Sequence, residues 1–214
     1  RMLDMGFIHD IKNIIKLLAP KRQTLLFSAT FSNDIRALAK GLLKSPVEIS
    51  VAPPNATAEP IEQTLYEVQK SQKLGLLLKL LKSLDLPQVL VFSRTKQGAN
   101  RLVKQLDKAG LSAAAIHSAK SQGARTKALA DFKSGKVQVL IATDIVARGI
   151  DIEKLPYVIN YDLPHVAEDY VHRIGRTGRA GQAGHAISLV TDEDAEALKA
   201  IEDLIGQPIE QCEL

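Results

Sequence analysis

The chain has 214 residues, 45% of them hydrophobic and 24% charged, with a formal net charge of +4. That length suits one large or two small domains, and the balance of apolar to charged residues excludes a disordered or collagen-like chain. The single cysteine, Cys212, excludes an internal disulfide and a cysteine-built zinc site and fits a reducing, cytoplasmic setting, while 4% aromatic residues and no Trp argue against nucleic-acid binding carried chiefly by base stacking.

In chain order, short apolar runs alternate with amphipathic stretches. Phe7, Ile11, Ile14, Ile15 and Leu18 share a helical face, and Thr24 to Phe27 reads as a buried strand. Ser32 is placed to cap a second helix carrying Ile35, Leu38, Ala39 and Leu42, with Val47 to Val51 as the next strand. The pattern stops at 52–60, where Pro53, Pro54 and Pro60 mark a linker. The expected division is therefore a first part at 1–51, a linker at 52–60 and a second domain at 61–214.

Ile61 to Val68 opens that domain as a strand, and Leu74, Leu77, Leu78 and Leu81 form a helix face. Lys79 and Lys82 interrupt this Leu-rich segment, which falls short of the roughly 20 apolar residues that cross a bilayer, so no membrane partner is expected. Val89 to Phe92, Ala113 to Ile116, Val137 to Ala142, Tyr157 to Asn160 and Ala186 to Val190 read as further strands. Helices are expected at Ala99 to Leu106 (closed by Gly110), Arg125 to Phe132, Ala167 to Arg176 and Asp194 to Ile205. Strands separated by helices define an α/β fold with a mostly parallel sheet flanked by helices. Ligands of such sheets sit at the carboxyl ends of the strands.

Thr143 and Asp144 follow one strand, and Gly149 and Asp151 come shortly after. A hydroxyl, a glycine turn and two carboxylates suit phosphate and ribose contacts; equally, Asp144 could cap a short helix and Asp151 sit in a solvated loop. The segment His172 to Gly181 resists a bland reading. Arg173, Arg176 and Arg179 recur every third residue, interleaved with Gly175, Gly178 and Gly181 that a helix interior would not choose. Clustered guanidiniums match phosphate oxygens. His172 and Arg176, four apart, are expected on one helical face, with Gly178 ending the helix, Arg179 on a loop, and Arg173 a solvated residue paired with Asp169 one turn earlier. Arg94 and Thr95 end another strand, Gln122 and Arg125 start a helix, and Ser28 and Thr30 follow Phe27. Each of these alone is a common polar strand or helix end.

Their order carries more. Ser28 to Thr30, Val89 to Lys96, Gln122 to Arg125, Ala142 to Asp151 and His172 to Gly181 together resemble the later motifs of the DEAD-box ATP-dependent RNA helicases of superfamily 2. Arg1 to Phe7 resembles the stretch that follows the Asp-Glu-Ala-Asp motif, and Ala128 to Gly135 with Glu168 to Val171 look most like the bacterial RhlE-like subgroup. The resemblance spans nearly the whole chain. Two departures are visible: Ser118 and Ala119 stand where the family has Gly and a polar residue, and the 214 residues contain no G-x-x-x-x-G-K-[ST] phosphate loop and no DEAD sequence.

The resemblance implies the back half of a first RecA-like domain, a linker and a complete second RecA-like domain, with the N-terminal half of the first domain missing. ATP with Mg²⁺ would bind between the domains, the Mg²⁺ ligands lying outside this chain, and no metal site is assigned within it. Arg176 and Arg179 would be the catalytic residues and, with Gly149 and Asp151, the ATP-binding set. Arg94, Thr95, Ser118, Gln122, Arg125 and Thr143 would hold RNA by its backbone, so that binding tolerates sequence. Ser28, Thr30 and His172 would couple the domains. RNA, as single strand and short duplex, is the expected partner, with ribosome-assembly or RNA-decay proteins as further partners implied by the family. The fragment alone is expected to be inactive. The alternatives are a non-catalytic RNA- or partner-binding module and a DNA-directed helicase of the same superfamily.

Overall fold

The computed structural model describes residues 8–28, 33–49, 61–84, 86, 88–144, 152, 155–178 and 184–213. The chain divides into two compact units, residues 1–55 and 56–214. The linker expected at 52–60, together with Ser32, lies outside the described residues.

The first unit contains helices α1 (Ile8–Leu17) and α2 (Asn33–Leu42). Among the described residues its two expected strands do not form: 24–27 and 47–49 carry no ladder pairing, and residues 50 and 51 of the second lie outside the described residues. The reason is visible in exposure. Phe27 is 88% exposed, Val47 86% and Ile49 79%, so among the described residues these apolar runs have no neighbouring strand to satisfy their backbone and cover their side chains. None of the described side chains of this unit is buried.

The second unit has the expected α/β architecture, with strands β1 (Ile61–Glu67), β2 (Val89–Phe92), β3 (Ala113–Ile116), β4 (Val139–Ala142), β5 (Tyr157–Asn160), β6 (Gly184–Val190) and β7 (Glu210–Gln211). They form one sheet in the order β3-β4-β2-β5-β6-β1-β7, every pair parallel. Helices α3 (Lys73–Ser83), α4 (Lys96–Lys108), α5 (Gln122–Lys133), α6 (Ala167–Ile174) and α7 (Ala195–Ile205) cover it, with a 3₁₀ turn at Asp192–Asp194. The central strands are apolar throughout because both faces are covered. Val89, Val91, Val139 and Ile141 face α3 and α4, whereas Leu90, Phe92, Leu140 and Ala142 face the side of Phe132 on α5. Leu65, Ala186, Tyr170, Ile174 and Ile201 form a third cluster that seats α6 and α7 on β1 and β6.

Local chemistry sets the helix starts. Thr95 caps α4 by accepting from Gly98 N at 2.9 Å, and Ser121 caps α5 by accepting from Ala124 N at 3.2 Å. Gly206, at φ 77°, ends α7 in the left-handed region.

Candidate functional site

The carboxyl ends of β2, β4, β5 and β6 converge on a polar network built from residues that follow each strand. At its centre lies Arg173, 2% exposed, its guanidinium 4.8 Å from the centroid of the Phe92 ring. Arg173 Nε and Nη2 donate to the two carboxylate oxygens of Asp144 at 2.6 and 2.8 Å, a bidentate pair. Nη1 donates to Asn160 Oδ1 at 3.1 Å and to the Asp162 carbonyl at 2.6 Å. The solvated Arg173–Asp169 pairing expected from i,i+4 spacing is therefore not how this arginine is used. The helix turns Arg173 toward the sheet, and the strand order delivers Asp144 from the end of β4. Asp144 thus serves as an ion-pair partner for Arg173 and not merely as a helix cap.

Asp162 joins this layer to the next. Its carbonyl accepts from Arg173, while its side chain accepts from Ser93 Oγ at 3.2 Å and Arg94 N at 2.9 Å. The Arg94 guanidinium turns inward, donating to Leu163 O at 3.2 and 3.3 Å and pairing with Asp194 at 2.8 Å. Lys73, only 4% exposed, reaches the same place from the start of α3: its ammonium donates to Tyr161 O at 2.9 Å and lies 3.6 Å from Asp194. Burial alone would raise the Asp194 pKa. Hydrogen bonds from the Thr191 hydroxyl and amide, then Arg94 and Lys73, outweigh it and hold the carboxyl below its ordinary value. Lys73, Asn160, Asp162 and Asp194 escape sequence reasoning because each looks like an ordinary helix or loop residue until the sheet order brings them together. The one available signal was their position at or shortly after the ends of β5 and β6, or at the start of a helix.

The expected RNA-holding residues follow β2, β3 and β4 or open the helix after β3. Thr95, Ser118 and Gln122 are exposed, and Thr143 is buried with its amide directed at Ile116 O. Arg125 is half-buried, and its Nε has no hydrogen-bond partner among the described residues. Just after β3, His117 is 2% exposed, with Nε2 3.1 Å from Asn100 Oδ1 and Nδ1 buried without a partner among the described residues. Burial, then the charges of Lys120 and Lys96, lower the His117 pKa from its ordinary value.

Past Arg173 the chain leaves helical geometry sooner than expected. Gly175 caps α6, so Arg176 lies in the following turn and does not share a helical face with His172; Gly178, at φ 61°, comes after the helix has ended. Thr177 is fully buried and its hydroxyl donates to Leu155 O and Pro156 O, pinning the turn against the entry to β5. A Cβ at Gly184 would lie 2.3 Å from Gly178 N, so the backbone of β6 and that of the arginine segment pass in contact. His172 and Arg176 are half-buried, and Ser28 is exposed in the first unit. Gly149, Asp151, Arg179 and Thr30 lie outside the described residues.

Residues 72–181 match the family model of the helicase conserved C-terminal domain, which defines the class of the second unit. ATP-dependent RNA helicase RhlB of Pseudomonas putida is 43% identical over 216 residues, covering 100% of this chain and 54% of that protein. ATP-dependent RNA helicase DbpA of Bacillus subtilis is 42% identical, covering 99% of this chain and 44% of that protein. Among solved structures, S. cerevisiae Dbp5 bound to RNA and ADP BeF3 matches with a TM-score of 0.84 and 33% identity, over 98% of this chain and 55% of that one. E. coli DEAD-box protein SrmB, bound to regulator of ribonuclease activity A, matches with a TM-score of 0.69 and 37% identity, over 73% of this chain and 92% of that one. The chain belongs to the DEAD-box family, the sheet being that of its RecA-like domains. It spans about half the length of the curated relatives it matches.

Proposed function

We propose that this chain is the C-terminal part of an ATP-dependent RNA helicase that separates or remodels short RNA duplexes by ATP-driven closure of two RecA-like domains. The observation that carries the reading is the mounting of the arginine segment. Arg173 is locked to Asp144 and Asn160 under the sheet edge, and Thr177 is pinned to Leu155 and Pro156. The turn that bears Arg176 is thereby held between two buried anchors, as a residue aimed at a developing phosphoryl charge requires.

The donor set fits a nucleotide triphosphate: guanidiniums that stay charged, on a glycine-punctuated turn beside a parallel sheet edge. ATP with Mg²⁺, when bound, supplies the phosphoryl group whose transfer drives the cycle. Arg176 and Arg179 would hold the phosphate oxygens, and Gly149 and Asp151 the rest of the nucleotide. His172 would meet Ser28 and Thr30 and couple domain closure to hydrolysis. Arg125, whose Nε lacks a partner among the described residues, would take an RNA phosphate together with Thr95, Ser118, Gln122 and Thr143. Arg94 would orient that loop from within, since its guanidinium is engaged by Leu163 and Asp194. The residue boundaries 1–51, 52–60 and 61–214, drawn from the proline-rich 52–60, a cytoplasmic setting, from the single cysteine, and a bacterial RhlE-like origin with partners in RNA decay or ribosome assembly, from the sequence motifs, belong to the same reading.

The test is ATP turnover by the full-length protein in the presence of RNA or of DNA of the same sequence. Stimulation by RNA well above that by DNA is expected. Equal stimulation would favour a DNA-directed or indifferent translocase, and no turnover with either would favour a non-catalytic binding module.

A further inference from the structure

The charge of the second unit is sharply divided. Residues 73–143 hold thirteen Lys and Arg against three Asp and no Glu, a net +10, whereas residues 157–214 hold four Lys and Arg against eleven Asp and Glu, a net −7. Sheet order turns this sequence asymmetry into a spatial one. The basic segment builds β3, β4 and β2 with α3, α4 and α5, and the acidic segment builds β5, β6 and β7 with α6 and α7. The domain is basic at one end of the sheet and acidic at the other.

Within the basic end, α4 places its cations in line. Gln97, Arg101, Lys104 and Lys108 are spaced i, i+4, i+7 and i+11, so they share one stripe. All four are exposed, directly opposite the buried Ala99, Leu102 and Leu106. Lys79 and Lys82 of α3 are likewise exposed, and both helices pack on the same face of the sheet through one apolar cluster. None of these five cations forms an ion pair among the described residues. The stripe's first cation, Arg101, follows Thr95 and the strand-end cluster by six residues, and its cations run about 10 Å along the helix away from it. Large exposed apolar residues are confined in this unit to Leu84 and Val166 among the described residues, so α4 offers neither a membrane anchor nor the apolar centre of a protein interface.

We propose that Arg101, Lys104 and Lys108, supported by Lys79 and Lys82, form a second contact for RNA backbone phosphates, continuing the path of a strand that leaves the strand-end site. The inference rests on the RNA reading above. Its role is to lengthen the grip, adding affinity without base preference and making it steeply dependent on salt.

The experiment measures binding of the full 214-residue chain to labelled oligouridines of about 6 and about 20 nucleotides by fluorescence anisotropy across a salt series. In the triple variant Arg101→Glu, Lys104→Glu and Lys108→Glu, affinity for the long RNA is expected to fall at least about tenfold at low salt. The slope of log K against log salt should flatten by about 2, at about 0.7 per lost single-strand phosphate contact. Affinity for the short RNA should hold, and the thermal melt should match the parent because the three side chains are exposed. Arg125→Ala should instead weaken both oligomers. An unchanged slope for the long RNA in the triple variant would overturn the proposal, as would an equal loss for both lengths, which would mean a general field effect. Displacement of the long RNA by poly-glutamate as readily as by unlabelled RNA would also overturn it, in favour of an acidic protein partner. If Arg125→Ala changed neither oligomer while the triple variant acted as expected, the strand-end reading would fall and the stripe would stand; binding of neither RNA by the parent chain would remove both.

Discussion

Replacing Arg173 with alanine should destabilise the second unit severely, although the residue sits among arginines assigned to ligand. The substitution deletes two hydrogen bonds to Asp144, one to Asn160 and one to the Asp162 carbonyl. Removing one partner of a buried ion pair costs about 3–5 kcal/mol, because the other charge is left uncompensated. Asp144 keeps 24% side-chain exposure and can recruit water, which moves the expectation toward the lower end; the fully buried Asn160 loses a donor and moves it back. A loss of about 3–4 kcal/mol corresponds to a fall in Tm on the order of 10 °C for a unit of this size. Urea unfolding and thermal melts followed by circular dichroism read both quantities. Arg173→Lys should fall between, since the charge survives but the planar fork that matches a carboxylate does not. Stability of Arg173→Ala within about 0.5 kcal/mol of the parent, the ordinary result for a solvated surface arginine, would refute this reasoning.

Gly184→Ala should cost about 1–3 kcal/mol or prevent folding, because its Cβ would lie 2.3 Å from Gly178 N and 2.5 Å from Thr177 Oγ1; a melt equal to the parent's would contradict the close passage of those backbones. Asp194 has a folded-state pKa below its ordinary value of 3.8, so its stabilising contribution is present above that pH and disappears as pH falls through the folded value. Asp194→Asn should therefore lower stability near neutral pH and flatten the loss seen on acidification below about pH 4, a difference measurable by urea titrations along a pH series. The 214 residues by themselves, with no phosphate loop in their sequence, should show no RNA-stimulated ATP turnover in a coupled assay.

Sequence reading succeeded where one local pattern has one structural solution. Val89–Phe92 and Val139–Ala142 are short apolar runs that only a strand covered on both faces accommodates. It failed where the answer depends on which strands become neighbours. Asp169 is the natural local partner for Arg173, yet the sheet order places β4 and β5 around β2 and brings Asp144, Asn160 and Asp162 to the same guanidinium. The two-residue strand β7 is polar and exposed, so nothing in its composition marks it; it exists because β1 offers a free edge. The runs 24–27 and 47–49 failed in the opposite direction. Their apolar pattern is that of buried strands, but a strand also needs ladder partners, and among the described residues they have none. The arginine–glycine segment stands out by its spacing, whereas the burial of Arg173 as an anchor against Asp144 and Asn160 is not readable from it.

The central claim is that the segment beyond Arg173 supplies guanidiniums to the reacting phosphate. Its most direct test is steady-state, RNA-stimulated ATP turnover by the full-length protein carrying Arg179→Ala, with Arg176→Ala beside it. The account predicts a fall in kcat of roughly 10³-fold, the scale of losing an arginine finger, with the melting temperature and nucleotide-free RNA affinity unchanged. Near-normal turnover in both variants, or a loss of activity that merely follows unfolding, would contradict it.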